Sequence, residues 1–271
     1  MTEGGSADRW LVALDVDGTI MSQDGEISEA VAREITRVQQ SGHEVMLATG
    51  RAVSMTLPVG ERLGLSPESL VCSNGAVTMR RDPDAPLGYT RAHLETFNPS
   101  RVLSAIHDRL AEASYAVEDE RGHYRYVGNF PDASLGVSSE RVEFEQLLID
   151  EATRVVVISP DHGQEEFLAI VESAGLHRVS YNIGWTAWLD IAPDGVNKAT
   201  GMERVREWLD IPRSRVMAVG DGSNDVEMLE WASTLGRGVA MGQAPDAVRE
   251  AANELTESDL EDGLAATLAT I

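Results

Sequence analysis

The sequence predicts an α/β protein in which a doubly wound parallel sheet carries an inserted α+β domain. Short apolar runs alternate with helical patterns near both ends of the chain, which is the order that builds parallel sheets. The middle of the chain instead mixes helical patterns with pieces that resemble antiparallel strands. Polar residues follow several of the apolar runs directly, as they do at the carboxyl edge of an open parallel sheet, where ligands bind.

The N-terminal part supplies the first strands of this sheet. The apolar run Trp10–Leu14 is too short for a helix and predicts a buried strand. Ser28 is a typical helix cap, and an apolar face follows it. Further along, we expect a strand over 43–48, a helix over 52–63 and a third strand over 70–72. This β-α-β-α-β order predicts parallel strands with right-handed crossovers.

The inserted part extends from about residue 81 to residue 189. We expect strands over 87–91, 115–117, 124–127 and 153–159, helices over 99–113, 139–149 and 164–174, and a hairpin around Gly184. The first pattern resumes at Asn197. The predicted core therefore comprises residues 1–80 and 190–271, and the predicted cap domain comprises 81–189. Two connections between the domains suit a hinged lid, although a long insertion can also serve oligomerisation.

Composition restricts the partners of the protein. The formal net charge of −23 over 271 residues argues against nucleic acid and anionic membrane surfaces, which attract basic proteins. No apolar run approaches the roughly 20 residues of a membrane helix. The first eight residues lack a signal pattern, and Cys72 is the single cysteine, so we expect a cytoplasmic protein. Both a monomer and a homodimer fit the sequence.

Four aspartates follow predicted strands and should converge at one edge of the sheet. Asp15 and Asp17 come after the first strand, and Asp221 and Asp225 follow the strand over 216–219. Carboxylates this close repel one another unless a positive charge lies between them. Hard oxygen ligands of this kind suit Mg²⁺. An isolated Asp-x-Asp-Gly stretch is also common in turns. It indicates a metal site here only because Asp221 and Asp225 are expected at the same edge of the sheet.

Lys198 is the only lysine in the chain, and the other 21 basic residues are arginines. A lysine ammonium is a compact point charge that fits beside a carboxylate, whereas a guanidinium is planar and larger. The retention of lysine at this position therefore indicates a specific role.

Four motifs in order make the sequence resemble the haloacid dehalogenase-like (HAD) superfamily of phosphohydrolases, and within it the Cof-type branch with a type IIB cap. The motifs are Asp15–Thr19, Thr49, Lys198 and Gly220–Asp225, and the stretch Gly238–Gly242 is also similar to that branch. The resemblance covers essentially the whole core. It implies a Rossmann-like core with an inserted cap that covers the substrate.

The resemblance also implies the catalytic roles. Asp15 would be the nucleophile that forms an aspartyl-phosphate, and Asp17 would be the general acid and base. Mg²⁺ would be bound by Asp15, the Asp17 carbonyl and Asp221, with Asp225 supporting the metal site. Thr49 and Lys198 complete the catalytic set. The predicted phosphate- or substrate-binding residues are Gly18, Thr49, Gly50, Arg51, Asn74, Lys198 and Asn224.

The expected function is Mg²⁺-dependent hydrolysis of small phosphate monoesters, such as sugar phosphates or phosphorylated cofactors like pyridoxal phosphate. The alternatives are a phosphomutase of the same superfamily, a phosphoacceptor signalling domain and a non-catalytic sugar-phosphate-binding protein. The phosphomutase shares the core motifs. Receiver domains also combine Asp, Thr and Lys at a sheet edge, but the Asp17 position and the large insertion argue against them.

Overall fold

The computed structural model describes residues 9–22, 24–131, 135–136, 138–173, 179–183 and 187–271. The strands are β1 (Leu11–Leu14), β2 (Glu44–Leu47), β3 (Ser69–Cys72), β4 (Val77–Arg81), β5 (Tyr89–Leu94), β6 (Ser114–Asp119), β7 (Tyr124–Val127), β8 (Ser139–Arg141), β9 (Ala152–Ile158), β10 (Val179–Ile183), β11 (Trp188–Pro193), β12 (Val216–Gly220), β13 (Arg237–Ala240) and β14 (Glu254–Leu255). The helices are α1 (Glu29–Gln40), α2 (Val53–Arg62), α3 (Ser100–His107), α4 (Gln164–Ser173), α5 (Lys198–Trp208), α6 (Val226–Ser233), α7 (Asp246–Ala251) and α8 (Gly263–Leu268). Two sequence predictions concern residues outside the described ranges. They are the lack of a signal pattern in residues 1–8 and the hairpin turn at Gly184.

A five-stranded sheet forms the centre of the first unit, in the order β14-β13-β12-β1-β2 with every pair parallel. All four residues of β1 are fully buried, as expected for a strand covered on both faces. Leu11 and Ala13 belong to the apolar cluster that includes residues of α5, α6 and α7. The alternate residues of β1 point to the opposite face, and α1 packs on β2 and α8. The doubly wound α/β prediction is confirmed.

A six-stranded, largely antiparallel sheet forms the second unit, in the order β10-β11-β9-β6-β7-β8. Its apolar core joins Tyr115 and Val117 of β6 and Val155 of β9 to residues of α3 and α4. Strands β10 and β11 pair antiparallel, in agreement with the predicted hairpin. This unit has the α+β character that the sequence predicted for the insertion.

The division between the two units differs from the predicted boundaries at 81 and 189. The core unit comprises the described residues up to Arg51, Thr56–His93 and Asn197–Ile271, and the cap unit comprises Ala52–Met55 and Leu94–Val196. Strand β4 and all of β5 except Leu94 group with the core unit because β3, β4 and β5 form a three-stranded sheet. Strand β11 groups with the cap unit because it pairs with β9 and β10.

One local prediction is wrong, and another is incomplete. The segment 139–149 is not a helix, because Ser139–Arg141 pairs as strand β8 with β7 and a short 3₁₀ helix, Phe144–Leu147, follows it. Strand pairing here overrides a sequence that is compatible with a helix. Strand β3 follows the predicted parallel order at one edge, and its other edge pairs antiparallel with β4, which the sequence did not predict. A single parallel bridge, Ala48 to Val71, links β3 to the end of β2.

Within the part of the chain that the structure describes, no helix has the length and apolar character needed to cross a membrane.

Candidate active site

Two carboxylates lie at the ends of neighbouring parallel strands. Asp15 directly follows β1 and Asp221 directly follows β12, and the two strands pair in register from Leu11 with Val216 to Leu14 with Val219. One carboxylate oxygen from each of Asp15, Asp221 and Asp225 lies within 4.8 Å of the other two, and all three side chains are buried. The structure thus brings together three of the four aspartates that the sequence placed at this edge.

Lys198 inserts its ammonium between two of these carboxylates. Its Nζ donates to Asp15 Oδ1 at 2.6 Å and to Asp225 Oδ1 at 2.7 Å, and the lysine side chain is 0% exposed. Asn197 places this lysine at the first position of α5 by capping the helix, with its side chain accepting from the Thr200 N–H at 3.1 Å. Gly201 lets α5 approach β3, because a Cβ at this position would lie 2.7 Å from Val71 Cγ1.

The electrostatics of this cluster are dominated by burial and by excess negative charge. Burial raises the pKa of the Asp15 carboxyl well above its usual range; Lys198 opposes the rise, and the Asp225 and Asp221 carboxylates add to it. Burial and the Asp225 carboxylate raise the pKa of Asp221 to about 7. Burial works to lower the pKa of Lys198, but Asp15 and Asp225 outweigh it and raise this pKa above its ordinary value. One ammonium among three carboxylates leaves an anionic pocket that suits a divalent cation.

Asp225 has both carboxylate oxygens occupied. Oδ1 accepts from Lys198, and Oδ2 accepts the backbone N–H groups of Asp221 at 3.1 Å and Gly222 at 2.9 Å. Asp15 differs, because no donor among the described residues is assigned to its Oδ2. Asp15 therefore keeps one carboxylate oxygen for a ligand, while Asp225 shapes the loop that carries Asp221.

Asp17 lies apart from the buried group and pairs with Arg51. The arginine Nε donates to Asp17 Oδ2 at 2.9 Å and its Nη2 donates to Oδ1 at 2.5 Å, which is the bidentate geometry of a strong ion pair. The hydrogen bond to Asp17 raises the pKa of Arg51 against the effect of burial. The Asp17 side chain is 64% exposed, whereas the side chains of Asp15, Asp221 and Asp225 are buried.

Thr49 and two asparagines form a polar ledge beside the carboxylates. Thr49 is fully buried, and its hydroxyl oxygen accepts the Arg51 N–H at 3.1 Å, which leaves the hydroxyl proton to donate. The Asn74 N–H donates to the Thr49 carbonyl at 3.1 Å, and Asn224 Nδ2 donates to Asn74 Oδ1 at 2.9 Å. Asn74 has φ of 52°, a left-handed conformation that asparagine tolerates. A Cβ on Gly50 would lie 3.0 Å from the Asn74 side chain, so glycine keeps this ledge close to the backbone.

Gly18 lies against Asp221. It has φ of +79°, and a Cβ would lie 2.2 Å from Asp221 Oδ2, so both the conformation and the space require glycine. The Gly18 N–H donates to the Met21 carbonyl at 2.7 Å. The Gly18 N–H is therefore already hydrogen-bonded within the turn. The sequence analysis had instead placed Gly18 among the residues that bind phosphate or substrate.

Two residues that the sequence did not single out also contact Asp221. The Thr19 hydroxyl donates to Asp221 Oδ1 at 3.4 Å, and Gln243 Nε2 donates to Asp221 Oδ2 at 3.3 Å. Thr19 belongs to the motif Asp15–Thr19, so its position in the sequence could have predicted a place in the site. Gln243 follows the stretch Gly238–Gly242, whose family likeness gave no role for the next residue.

The family model described as haloacid dehalogenase-like hydrolase matches residues 12–268. The chain is 32% identical over 267 residues to the 5-amino-6-(5-phospho-D-ribitylamino)uracil phosphatase YitU of Bacillus subtilis (strain 168), covering 94% of this chain and 95% of that protein. It is 25% identical over 273 residues to the pyridoxal phosphate phosphatase YbhA of Escherichia coli (strain K12), covering 94% and 96%. The structure of the HAD subclass IIB sugar phosphatase BT4131 is similar in fold, with a TM-score of 0.80, 21% identity and coverage of 96% and 98%.

The family match spans nearly the whole chain, and the motif residues meet at the carboxyl edge of the parallel sheet. The chain belongs to the haloacid dehalogenase-like hydrolase family, in its Cof-type branch with a subclass IIB cap, and is a phosphatase.

Proposed function

We propose that this phosphatase hydrolyses small phosphate monoesters in a Mg²⁺-dependent reaction through an aspartyl-phosphate on Asp15. The observation that carries the proposal is the buried group of three carboxylates around the Lys198 ammonium, with one oxygen of Asp15 left for a ligand. The substrate class is sugar phosphates or phosphorylated cofactors. The two named phosphatases, which act on a phosphoribitylamino-uracil and on pyridoxal phosphate, support that class.

In the proposed first step, Asp15 Oδ2 attacks phosphorus while the bond between phosphorus and the leaving oxygen breaks. Asp17 donates a proton to the leaving oxygen. Lys198 holds the other oxygen of Asp15, so the carboxylate is oriented and its charge is partly offset during approach to a phosphate dianion. The Thr49 hydroxyl donates a hydrogen bond to a phosphoryl oxygen. In the second step Asp17 takes a proton from water, which attacks phosphorus and releases phosphate and Asp15.

The donor set fits Mg²⁺, because three buried carboxylates with oxygens within 4.8 Å of one another share only one ammonium. Asp15 and Asp221 would hold the ion, with the Asp17 carbonyl as a further predicted ligand. Asp225 would support the metal site by bonding Lys198 and the backbone of the loop that carries Asp221. The ion would offset negative charge on the phosphoryl oxygens.

In this mechanism Arg51 controls when Asp17 is free to transfer a proton. Its guanidinium donates to both oxygens of Asp17, and this pair has to open before Asp17 can reach the leaving oxygen. A substrate phosphate is an alternative bidentate partner for the guanidinium. Substrate binding would thereby release Asp17 for proton transfer.

A cytoplasmic location, predicted from the single cysteine, stays part of the proposal.

Removal of Mg²⁺ is expected to abolish turnover. We expect steady release of phosphate from p-nitrophenyl phosphate, pyridoxal phosphate and a panel of sugar phosphates with MgCl₂, and none after treatment with excess EDTA. The midpoint of thermal unfolding should rise with added MgCl₂, because a ligand that binds the folded state stabilises it. Full activity in EDTA would contradict the metal assignment. Turnover that requires a bisphosphate activator would favour the phosphomutase.

Asp17→Asn is expected to separate the two chemical steps. An aryl phosphate has a good leaving group that needs little protonation, whereas hydrolysis of the aspartyl-phosphate needs the base. Stopped-flow measurement with p-nitrophenyl phosphate should therefore show one rapid burst of p-nitrophenol per enzyme, followed by turnover roughly 10²- to 10⁴-fold slower than wild type. The Asp15→Asn variant is the control and should show no burst. Steady wild-type turnover by Asp17→Asn would exclude Asp17 as the acid and base.

A further inference from the structure

Gln243 joins three separate segments of the core unit. Its side-chain Nε2 donates to the Gly18 carbonyl at 2.5 Å and to Asp221 Oδ2 at 3.3 Å. Its Oε1 accepts the backbone N–H of Asp259 at 3.1 Å. The turn after β1, the end of β12 and the segment before α8 therefore meet at one amide.

These partners fix the orientation of the amide. The Gly18 carbonyl and the Asp221 carboxylate can only accept, so they require the NH₂ group, and the Asp259 N–H can only donate, so it requires the oxygen. A carboxylate at this position would lack both donors. A hydrocarbon would lack all three hydrogen bonds. The contacts thus use every polar atom of a glutamine side chain.

The Gln243 amide supplies a hydrogen bond to one of the two carboxylate oxygens of Asp221. Thr19 donates to Oδ1 at 3.4 Å, which is a long contact, and Gln243 donates to Oδ2. The Asp221 carboxylate also packs against Gly18, where a Cβ would lie 2.2 Å from Oδ2. Gln243 therefore donates both to Asp221 and to Gly18, the residue against which the Asp221 carboxylate packs. The amide therefore sets the spacing between the turn after β1 and this carboxylate.

We infer that Gln243 is a positioning residue that holds Asp221 and the turn after β1 in the arrangement that binds the divalent cation. The inference rests on the proposed Mg²⁺ site. Hydrogen-bonding partners that orient metal-binding carboxylates typically change metal affinity by about 10- to 100-fold when they are removed. Gln243 acts through Asp221, so its loss should weaken the metal site more than the chemical step.

The test compares Gln243→Met, which keeps the length of the side chain, with wild type and with Ser258→Ala. Ser258 is the matched control, because its hydroxyl donates to Glu261 at 2.8 Å in the segment that Gln243 also contacts. The midpoint of thermal unfolding is measured against MgCl₂ concentration, and kcat and KM are measured at saturating MgCl₂. Gln243→Met should need about 10- to 100-fold more MgCl₂ for half of the stabilisation. Its kcat at saturating MgCl₂ should remain close to wild type, and Ser258→Ala should match wild type throughout.

The outcomes separate this inference from the proposed function. A Gln243→Met protein whose unfolding midpoint falls equally at every MgCl₂ concentration would have lost only structural support, and the inference would be wrong. An unchanged MgCl₂ requirement would also overturn it while leaving the Mg²⁺ site intact. If wild type itself does not respond to MgCl₂, both the metal site and this inference fail. Gln243→Ala repeats the comparison in case the methionine variant does not fold.

Discussion

Asp15→Asn is expected to remove hydrolysis of every phosphate monoester, with kcat/KM falling on the order of 10⁴-fold or more. The amide is a poor nucleophile, so the aspartyl-phosphate cannot form. The fold should persist, because the amide oxygen of the substituted side chain can still accept from Lys198 and the substitution removes one of three buried carboxylates. Activity is measured by phosphate release, and folding by circular dichroism and thermal unfolding.

The exposed Asp84 supplies the control, and Asp84→Asn should keep wild-type activity. Acid quenching of wild type during turnover, followed by peptide mass spectrometry, should place a phosphoryl group on Asp15 and leave the Asp15→Asn protein unmodified. Wild-type rates in a folded Asp15→Asn protein would refute the nucleophile assignment. A phosphoryl group on a different residue would refute it as well.

Lys198→Met is expected to cost both activity and stability. Lys198 is fully buried and donates to Asp15 and Asp225, so its loss leaves uncompensated buried carboxylates. Breaking a buried ion pair in this way costs about 3–5 kcal/mol of unfolding free energy. Urea unfolding without added MgCl₂ measures this loss, and phosphate release measures the activity.

The double variant Lys198→Met/Asp225→Asn separates charge balance from catalysis. Removing the second charge should restore part of the stability, because one unpaired carboxylate is eliminated, but it should not restore turnover. Lys198→Arg should also lose most activity, since a planar guanidinium has to occupy a fully buried space that fits a single ammonium. Near-normal turnover by Lys198→Arg would show that any cation is sufficient there.

The core of the fold could be predicted because local patterns and tertiary structure agree there. The apolar run before Asp15 forms β1, Ser28 caps α1 by accepting the Val31 N–H, and Asn197 caps α5. The segment 139–149 shows the opposite case. Its sequence permits a helix, but pairing of β8 with β7 decides the conformation, and the pairing partner lies outside the segment. Strand β3 meets the end of β2 in parallel, as the β-α-β-α-β order predicts, but its antiparallel pairing with β4 was not predicted.

The convergence of Asp15, Asp221, Asp225 and Lys198 could be predicted because it depends on position along the strands and at the start of a helix. Parallel strands end at the same edge, so residues that follow β1 and β12 have to meet there. Their catalytic roles came from the family resemblance and remain predictions. The membership itself is established by the match over residues 12–268.

The sequence by itself determined the α/β class, the inserted domain and the identity of the residues gathered at the sheet edge, because short-range periodicity and strand ends specify these features. Only the tertiary structure decided how those residues are paired. Asp17 bonds Arg51 rather than joining the buried carboxylates, Lys198 bridges Asp15 and Asp225, and Gln243 holds Asp221. These contacts join residues far apart in the chain, and side-chain distance and direction, which no local pattern encodes, determine which donor reaches which oxygen.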